Sequence, residues 1–182
     1  ALAQTLERQM AALCRPEAID AVTGAAAALA GAVRIYVLGY RSSYPVASHF
    51  AYVYGLAGGS VRLLDGPGGT GSDVLREAGK GDALLVVSVK PYTRAAVELA
   101  DYALATGLDI VTITDSIVSP LVAKARAVVI VPTESPSFFH TMAPAFAVAE
   151  ALAAMLAAAA GESALEAVRV MERQFESLSP HL

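Results

Sequence analysis

The chain has 182 residues, enough for one domain with a substantial core. Hydrophobic residues make up 55% of the sequence and charged residues only 16%, which excludes a disordered chain and favours a sheet covered on both faces or an oligomer with an apolar interface. The formal net charge of −4 gives no basic footprint for nucleic acid. A single cysteine, Cys14, excludes an intramolecular disulfide and is typical of the reducing cytoplasm.

Two helices are predicted before the first strand. Apolar residues at nearly helical spacing between Leu2 and Leu13 indicate an amphipathic helix. Pro16 suits the first turn of a second helix, and Gly31 ends it. The opening residues are polar and charged, which is unlike a secretory signal.

Strands and helices then alternate along the chain. Runs rich in Val, Ile and Leu predict strands at 33–38, 61–64, 83–89, 109–114 and 127–132. Helices are predicted at about 44–57, 74–79, 92–106 and 121–125, within the apolar run 138–160, and at about 162–177. Buried parallel strands joined by helical crossovers predict an α/β fold: a three-layer α/β/α sandwich with a five-stranded parallel sheet, wound as in flavodoxin, with extra helices at both ends.

The apolar run 138–160 is the candidate membrane span of this sequence. It contains Pro144 and Glu150, and it is dominated by alanine, which gains little from lipid. A helix buried in the core or at an interface is therefore predicted, with no membrane contact.

Two predicted strands run directly into hydroxyl-rich turns that open helices, at residues 39–47 (GYRSSYPVA) and 88–93 (SVKPYT). The carboxyl ends of parallel strands share one edge of the sheet, and a helix N-terminus there offers unpaired N–H groups. Together the turns predict an anion site suited to phosphate, whereas each turn alone is also compatible with ordinary helix capping. The hydroxyl groups belong to Ser42, Ser43, Ser88 and Thr93.

These turns resemble the phosphosugar pocket of the sugar isomerase (SIS) domain, and the resemblance covers almost the whole chain. In that family a glycine-rich first turn ends in Ser, and the second turn reads Ser-x-Ser-Gly-x-Ser/Thr. Ser43 matches the first-turn serine, with Ser42 beside it, and Ser88 and Thr93 match the outer hydroxyls of the second turn. The resemblance implies the SIS fold and a sugar phosphate held by these hydroxyls.

The second turn departs from the pattern of the isomerases in this family. Lys90 stands in place of the second Ser, Pro91 replaces the Gly, and Tyr92 stands where isomerases often have Glu. Two later segments, 113–125 with TDSIVSPL and 131–156 with ESPSFF, resemble the sensor domain of RpiR-type transcriptional regulators. The resemblance therefore favours a sensor over an enzyme, and it makes Tyr92 a candidate ligand contact.

Further candidates follow the last predicted strand. Glu134 could act as a general base or bind sugar hydroxyls, and the alternative is a solvated or capping carboxylate. Ser137 could cap the next helix, and the resemblance adds a ligand contact as the alternative. His140 could shuttle a proton or contact the ligand, and the alternative is a capping or interface role. No spacing of His, Cys and Asp fits a metal site, so neither metal nor cofactor is predicted. The glycine-rich loop 65–71 (DGPGGTG) could mimic a nucleotide-binding loop. It lacks the Walker lysine and the G-x-G-x-x-G order, so an ordinary loop is predicted.

The resemblance also implies a domain organisation and partners. Residues 1–31 are expected to be linker and dimerisation helices, and residues 32–182 the phosphosugar-binding domain of a homodimer or homotetramer. DNA would be bound only through a helix-turn-helix domain that these 182 residues do not contain. Two alternatives stay open: a single-domain aldose–ketose isomerase that uses Glu134 and His140, and a structural SIS module with a degenerate pocket.

Overall fold

The computed structural model describes residues 1–178, without the side chains of residues 67–69. Residues 179–182, at the end of the predicted domain, lie outside the described part. The α-helices are α1 (Leu2–Leu13), α2 (Pro16–Ala30), α3 (Tyr44–Leu56), α4 (Arg94–Ala105), α5 (Ala143–Ala160) and α6 (Glu162–Leu178). The strands are β1 (Ile35–Gly39), β2 (Val61–Leu63), β3 (Ala83–Ser88), β4 (Asp109–Thr114) and β5 (Ala127–Ile130).

The five strands form one parallel sheet in the order β2-β1-β3-β4-β5. The chain builds outward from β1 to β2 on one side, and then from β3 to β5 on the other. The direction of winding thus reverses between β1 and β3, where Gly39 lies opposite Val87. This order confirms the predicted flavodoxin-like fold, and it places a ligand crevice at the carboxyl ends of these two strands.

Helices cover both faces of the sheet, as expected for apolar parallel strands. On one face α2, α3 and α5 pack over the sheet, with Leu29, Phe50 and Leu152 fully or almost fully buried. On the other face α4 buries a row of small residues, Ala96, Ala100 and Ala103, against β3 and β4. Every residue of β3 is buried, since it is the central strand of the three layers.

Helix α5 is long and apolar enough to cross a membrane by length and composition. Its seven buried residues, however, contribute to the core, and the helix packs against α2 and α3. Burial of a leucine such as Leu152 or Leu156 stabilises the fold by about 1.5–3 kcal/mol. Packing inside the protein therefore accounts for the buried part of α5, which is 39% of the helix.

Two predicted short helices are three-ten segments in the structure. The segment Pro67–Glu77 is a three-ten helix without a side-chain cap, whereas the sequence predicts a short helix at about 74–79 capped by Ser72 or Asp73. The sequence PGGTG at its start disfavours a regular α-helix, because each glycine in an α-helix costs about 1 kcal/mol relative to alanine. The second segment, Val122–Lys124, is a single three-ten turn between β4 and β5.

Candidate functional site

The two hydroxyl-rich turns flank the crevice between β1 and β3. Because α3 covers one face of the sheet and α4 the other, the helix that follows β1 and the helix that follows β3 leave the sheet in opposite directions. Their N-termini consequently face the same crevice from two sides. This arrangement brings backbone N–H groups and the positive ends of two helix dipoles to one place, which favours an anion.

The first turn depends on Gly39, the last residue of β1. A Cβ atom at this position would lie 2.5 Å from the Ser43 carbonyl oxygen and 2.9 Å from the Ala47 Cβ. Only glycine allows the chain to turn back this closely, and the Ser43 N–H then donates to the Tyr40 carbonyl at 3.0 Å. Arg41 adopts a φ of 54°, a conformation that is uncommon for a residue other than glycine and that marks a strained turn.

The two serines of the first turn have different surroundings. Ser43 is only 3% exposed, and its hydroxyl forms no side-chain hydrogen bond within residues 1–178. The Ser42 hydroxyl lies 2.8 Å from Nε2 of His140, so the two groups share a hydrogen bond. The structure therefore brings His140 to the first turn, across a separation of 98 residues in the sequence.

The second turn presents hydroxyls that have no protein partner among the described residues. Ser88 ends β3, and its carbonyl accepts a hydrogen bond from the buried Thr114 hydroxyl at 2.7 Å, which fixes the strand end. Thr93 is the N-cap residue of α4, with extended backbone, yet its side chain does not cap the helix. The Ser88 and Thr93 hydroxyls and the first N–H groups of α4 are thus available to an oxyanion.

Tyr92 bonds to a residue that the sequence pattern did not single out. Its hydroxyl donates to Oδ1 of Asp115 at 2.8 Å. Asp115 comes directly after β4, which pairs with β3 in parallel, so it lies at the same edge of the sheet as Ser88. Burial, and then this hydrogen bond, raise the pKa of the Tyr92 phenol above its ordinary value. Its position in the sequence could have identified Asp115 as a candidate, because a residue directly after a parallel strand lies at the carboxyl edge of the sheet, where ligands of such folds bind.

The loop 131–142 carries the remaining candidates. The Glu134 and Ser137 side chains are exposed, and the Ser137 hydroxyl accepts a hydrogen bond from the Phe139 N–H at 3.4 Å within the loop. The Glu134 carbonyl, rather than its carboxylate, bonds to the protein: it accepts from Nε2 of Gln9 at 2.7 Å. Of the three candidates only His140 is bonded to the first turn, and Glu134 and Ser137 lie on the same loop with free access to solvent.

A cavity of about 600 Å³ opens next to the crevice. Gly39 and Ala95 connect it to the ends of the two turns, and its far wall includes Asp65 and Tyr102. The Tyr44 hydroxyl donates to Oδ2 of Asp65 at 2.5 Å, and this bond, followed by burial, raises the pKa of Tyr44. The hydroxyls of the two turns (Ser42, Ser43, Ser88 and Thr93) do not line the cavity, so it adjoins the crevice and is distinct from it.

Within residues 1–178 no three His, Cys, Asp or Glu side chains lie close enough together to hold a metal ion. The polar groups at the crevice are hydroxyls, backbone N–H groups, one imidazole and two carboxylates on neighbouring loops. This set suits a ligand that combines an oxyanion with hydroxyl groups.

The family model described as SIS domain matches residues 28–160. None of the curated proteins matches the chain significantly. Among solved structures, the chain is similar to the sugar isomerase domain of the RpiR transcription factor from Sphaerobacter thermophilus. The two are 28% identical, the match covers 94% of this chain and 92% of that one, and the TM-score is 0.78.

Two more distant structures share the fold. The Vibrio vulnificus NanR protein, solved in complex with ManNAc-6P, is 17% identical; the match covers 90% of this chain and 62% of NanR, with a TM-score of 0.75. A protein of E. coli CFT073, solved in complex with arabinose 5-phosphate, is also 17% identical; the match covers 84% of each chain, with a TM-score of 0.71. At this level of identity the likeness concerns the fold alone.

Proposed function

The chain belongs to the SIS domain family, and we propose that it is the phosphosugar-binding effector domain of an RpiR-type transcriptional regulator. The observation that carries the proposal is the second turn, where the Ser88 and Thr93 hydroxyls have no partner among the described residues beside the N-terminus of α4. Similarity at 28% identity to the sugar isomerase domain of an RpiR transcription factor supports the regulatory assignment.

In this proposal the second turn holds the phosphate. The Ser88 and Thr93 hydroxyls and the N–H groups of α4 donate to its oxygens, and the exposed Lys90 adds positive charge near them. Ser43 lies on the opposite side of the crevice as the N-cap residue of α3, and its hydroxyl is the group it offers to the ligand. Tyr92 is held by Asp115 at the rim, where it can contact the ligand.

The sugar end of the ligand extends away from the α4 N-terminus. His140, together with Ser42, offers a hydrogen-bonding pair for sugar hydroxyls, and Glu134 and Ser137 lie on the same loop. Ligands of the type seen in the distant relatives, ManNAc-6P and arabinose 5-phosphate, have this combination of a phosphate and hydroxyl groups.

The proposal includes partners and a compartment. The regulator would act in the cytoplasm as a homodimer or homotetramer, and it would contact DNA through a helix-turn-helix domain that is not among these residues. Exposed apolar side chains such as Phe138, Ile117 and Val118, at loops of the carboxyl edge, are consistent with assembly. No cofactor enters this function.

Thermal-shift titration with ManNAc-6P, arabinose 5-phosphate and glucose 6-phosphate tests the proposal. We expect at least one of them to raise the melting temperature of the wild-type chain, and the double variant Ser88→Ala/Thr93→Ala to lose this response, because it removes both hydroxyl donors. A panel that leaves the wild-type melting temperature unchanged, or a double variant that responds as wild type does, would contradict the phosphate assignment.

The second candidate function is aldose–ketose isomerisation of a sugar phosphate. The observation that favours it is the imidazole of His140, held 2.8 Å from the Ser42 hydroxyl at the edge of the crevice, where it could move a proton between adjacent carbons. The position of the usual glutamate in the second turn is taken by Tyr92, which weighs against it. Formation of a ketose phosphate from arabinose 5-phosphate that disappears in His140→Ala would establish this function.

A further inference from the structure

Gln9 is a buried polar residue in a helix that is otherwise largely exposed. It lies on α1, which packs against α5, and it is only 6% exposed. Its Nε2 donates to the Glu134 carbonyl at 2.7 Å, while its Oε1 is buried and has no partner within residues 1–178. A leucine or methionine at this buried position of α1 would give a more stable fold, since burying an amide oxygen without a hydrogen-bond donor costs free energy. The amide is therefore explained by its bond to the loop.

The loop that Gln9 holds is tied together as a unit. The Thr141 N–H donates to the Thr133 carbonyl at 3.0 Å, which closes the loop at its base. Inside it, the Ser135 hydroxyl accepts from the Ser137 N–H at 3.1 Å. Since its ends and its interior are bonded to each other, a displacement of one side of the loop moves the other side as well.

This loop touches both α1 and the ligand crevice. On one side the Glu134 carbonyl is bonded to Gln9, and on the other side His140 is bonded to Ser42 of the first turn. A ligand that takes the place of the Ser42 hydroxyl at His140, or of His140 at Ser42, replaces the hydrogen bond that ties the loop to the first turn. The only described side-chain hydrogen bond between α1 and the loop is the one from Gln9.

We propose, on the basis of the phosphosugar function above, that Gln9 is the positioning residue through which the occupancy of the crevice reaches α1. Gln9 holds the loop through its amide N–H group; when the ligand moves the loop, the Gln9 amide rearranges and α1 changes its packing on α5. The unpaired Oε1 favours such a rearrangement, because a new position can supply the donor that it lacks. By linkage, the same contact sets the affinity for the ligand.

Hydrogen exchange on the complete 182-residue chain tests this inference. The probe is whichever of ManNAc-6P, arabinose 5-phosphate and glucose 6-phosphate gives the largest thermal shift. In the wild type we expect saturation to change the exchange of both the loop 131–142 and α1. In Gln9→Met, which keeps the length of the side chain without its amide, the loop should still respond, α1 should not, and affinity should fall about fivefold. Gln4→Met, at an exposed position of the same helix, is the matched control and should behave as wild type.

The outcomes separate the inference from the function on which it rests. If a sugar phosphate binds but the exchange of α1 is unchanged in the wild type, or if Gln9→Met responds as wild type does, the coupling role is wrong while the proposed function stands. If none of the sugar phosphates binds, both are wrong. If Gln9→Met fails to fold, Gln9→Leu replaces it, and an unchanged exchange of α1 in the ligand-saturated wild type overturns the inference whichever variant is used.

Discussion

The two turns at the crevice begin alike, as a buried strand that runs into a hydroxyl-rich helix start, but they are built differently. The first turn is braced: Gly39 packs against the Ser43 backbone, Ser43 is buried, and Ser42 is bonded to His140. The second turn leaves the Ser88 and Thr93 hydroxyls without a described protein partner. One sequence pattern therefore builds two different turns: the first is fixed by backbone packing at Gly39 and by the Ser42–His140 hydrogen bond, and the second places two unpartnered hydroxyls beside the N-terminus of α4.

The largest effect is expected from a change in the braced turn. In Gly39→Ala the new Cβ atom would lie 2.5 Å from the Ser43 carbonyl oxygen, which is backbone and cannot move aside without shifting α3. We expect a loss of about 2–3 kcal/mol in the free energy of unfolding, or roughly 4–12 °C in melting temperature. Chemical and thermal denaturation of the purified chain measure it.

The matched control for this substitution is Gly24→Ala on α2. A Cβ atom at Gly24 would meet nothing within 4 Å, and the position is in the middle of a helix. Stability should therefore rise by about 0.5–1 kcal/mol, from the helix propensity of alanine. Equal effects of the two substitutions would contradict the view that the first turn is a close-packed brace.

A smaller effect is expected at the second turn, where Tyr92 is tied to Asp115. Tyr92→Phe removes the donor at 2.8 Å and should cost about 1 kcal/mol. Because the folded protein raises the pKa of Tyr92, its contribution is fully present below the unfolded pKa and is lost as the pH rises through the folded pKa. The wild type should accordingly lose its advantage over Tyr92→Phe in alkaline solution, which denaturation at pH 8 and at pH 11 compares. An advantage that grows with pH would show that the phenol is not held in its neutral form.

The smallest effect is expected from His140, which is bonded to Ser42 of the first turn. His140→Ala should leave the melting temperature nearly unchanged, because the side chain is exposed, and it should weaken phosphosugar binding about three- to fivefold through one lost hydrogen bond. The control is His49→Ala. The His49 side chain also forms a hydrogen bond, from Nε2 to Oε1 of Glu150 at 3.1 Å, but it lies on α3 outside the two turns. Binding that weakens equally in both variants would remove His140 from the site.

Much of the fold, and part of the site, could be predicted from the sequence. The apolar runs of β1 and β3 indicated a parallel sheet, and the position of Ser88 and Thr93 after a strand placed them at its carboxyl edge. The pair Ser42 and His140 could not be predicted, since 98 residues separate them and only the packing of α5 against α3 brings them together. Gln9 was missed because a glutamine in an amphipathic helix looks like a solvated residue.

The division of the chain at residue 31 stays a prediction. Helix α2 packs against β5 and α5, and Ala25, Ala26 and Leu29 belong to the core of that face. The same helix precedes the first strand, as a linker would. The predicted dimer contacts of α1 and α2 are tested by comparing the oligomeric state of the chain with that of a variant in which the exposed Ile19 is replaced by Asp. We expect a shift toward smaller species, and an unchanged oligomeric state would contradict a dimer contact at this position.

The most direct test of the central claim, that the second turn grips a phosphate, is calorimetric titration of the wild type and of Ser88→Ala/Thr93→Ala. Each ligand is a sugar phosphate from the panel, and its unphosphorylated sugar is titrated in parallel. Two lost hydrogen bonds to a charged group predict a fall in affinity of about 100-fold or more for the phosphate form, with no measurable binding of the bare sugar by either protein. Equal affinity of the double variant and the wild type, or binding of the bare sugar as tightly as the phosphate, would contradict the claim.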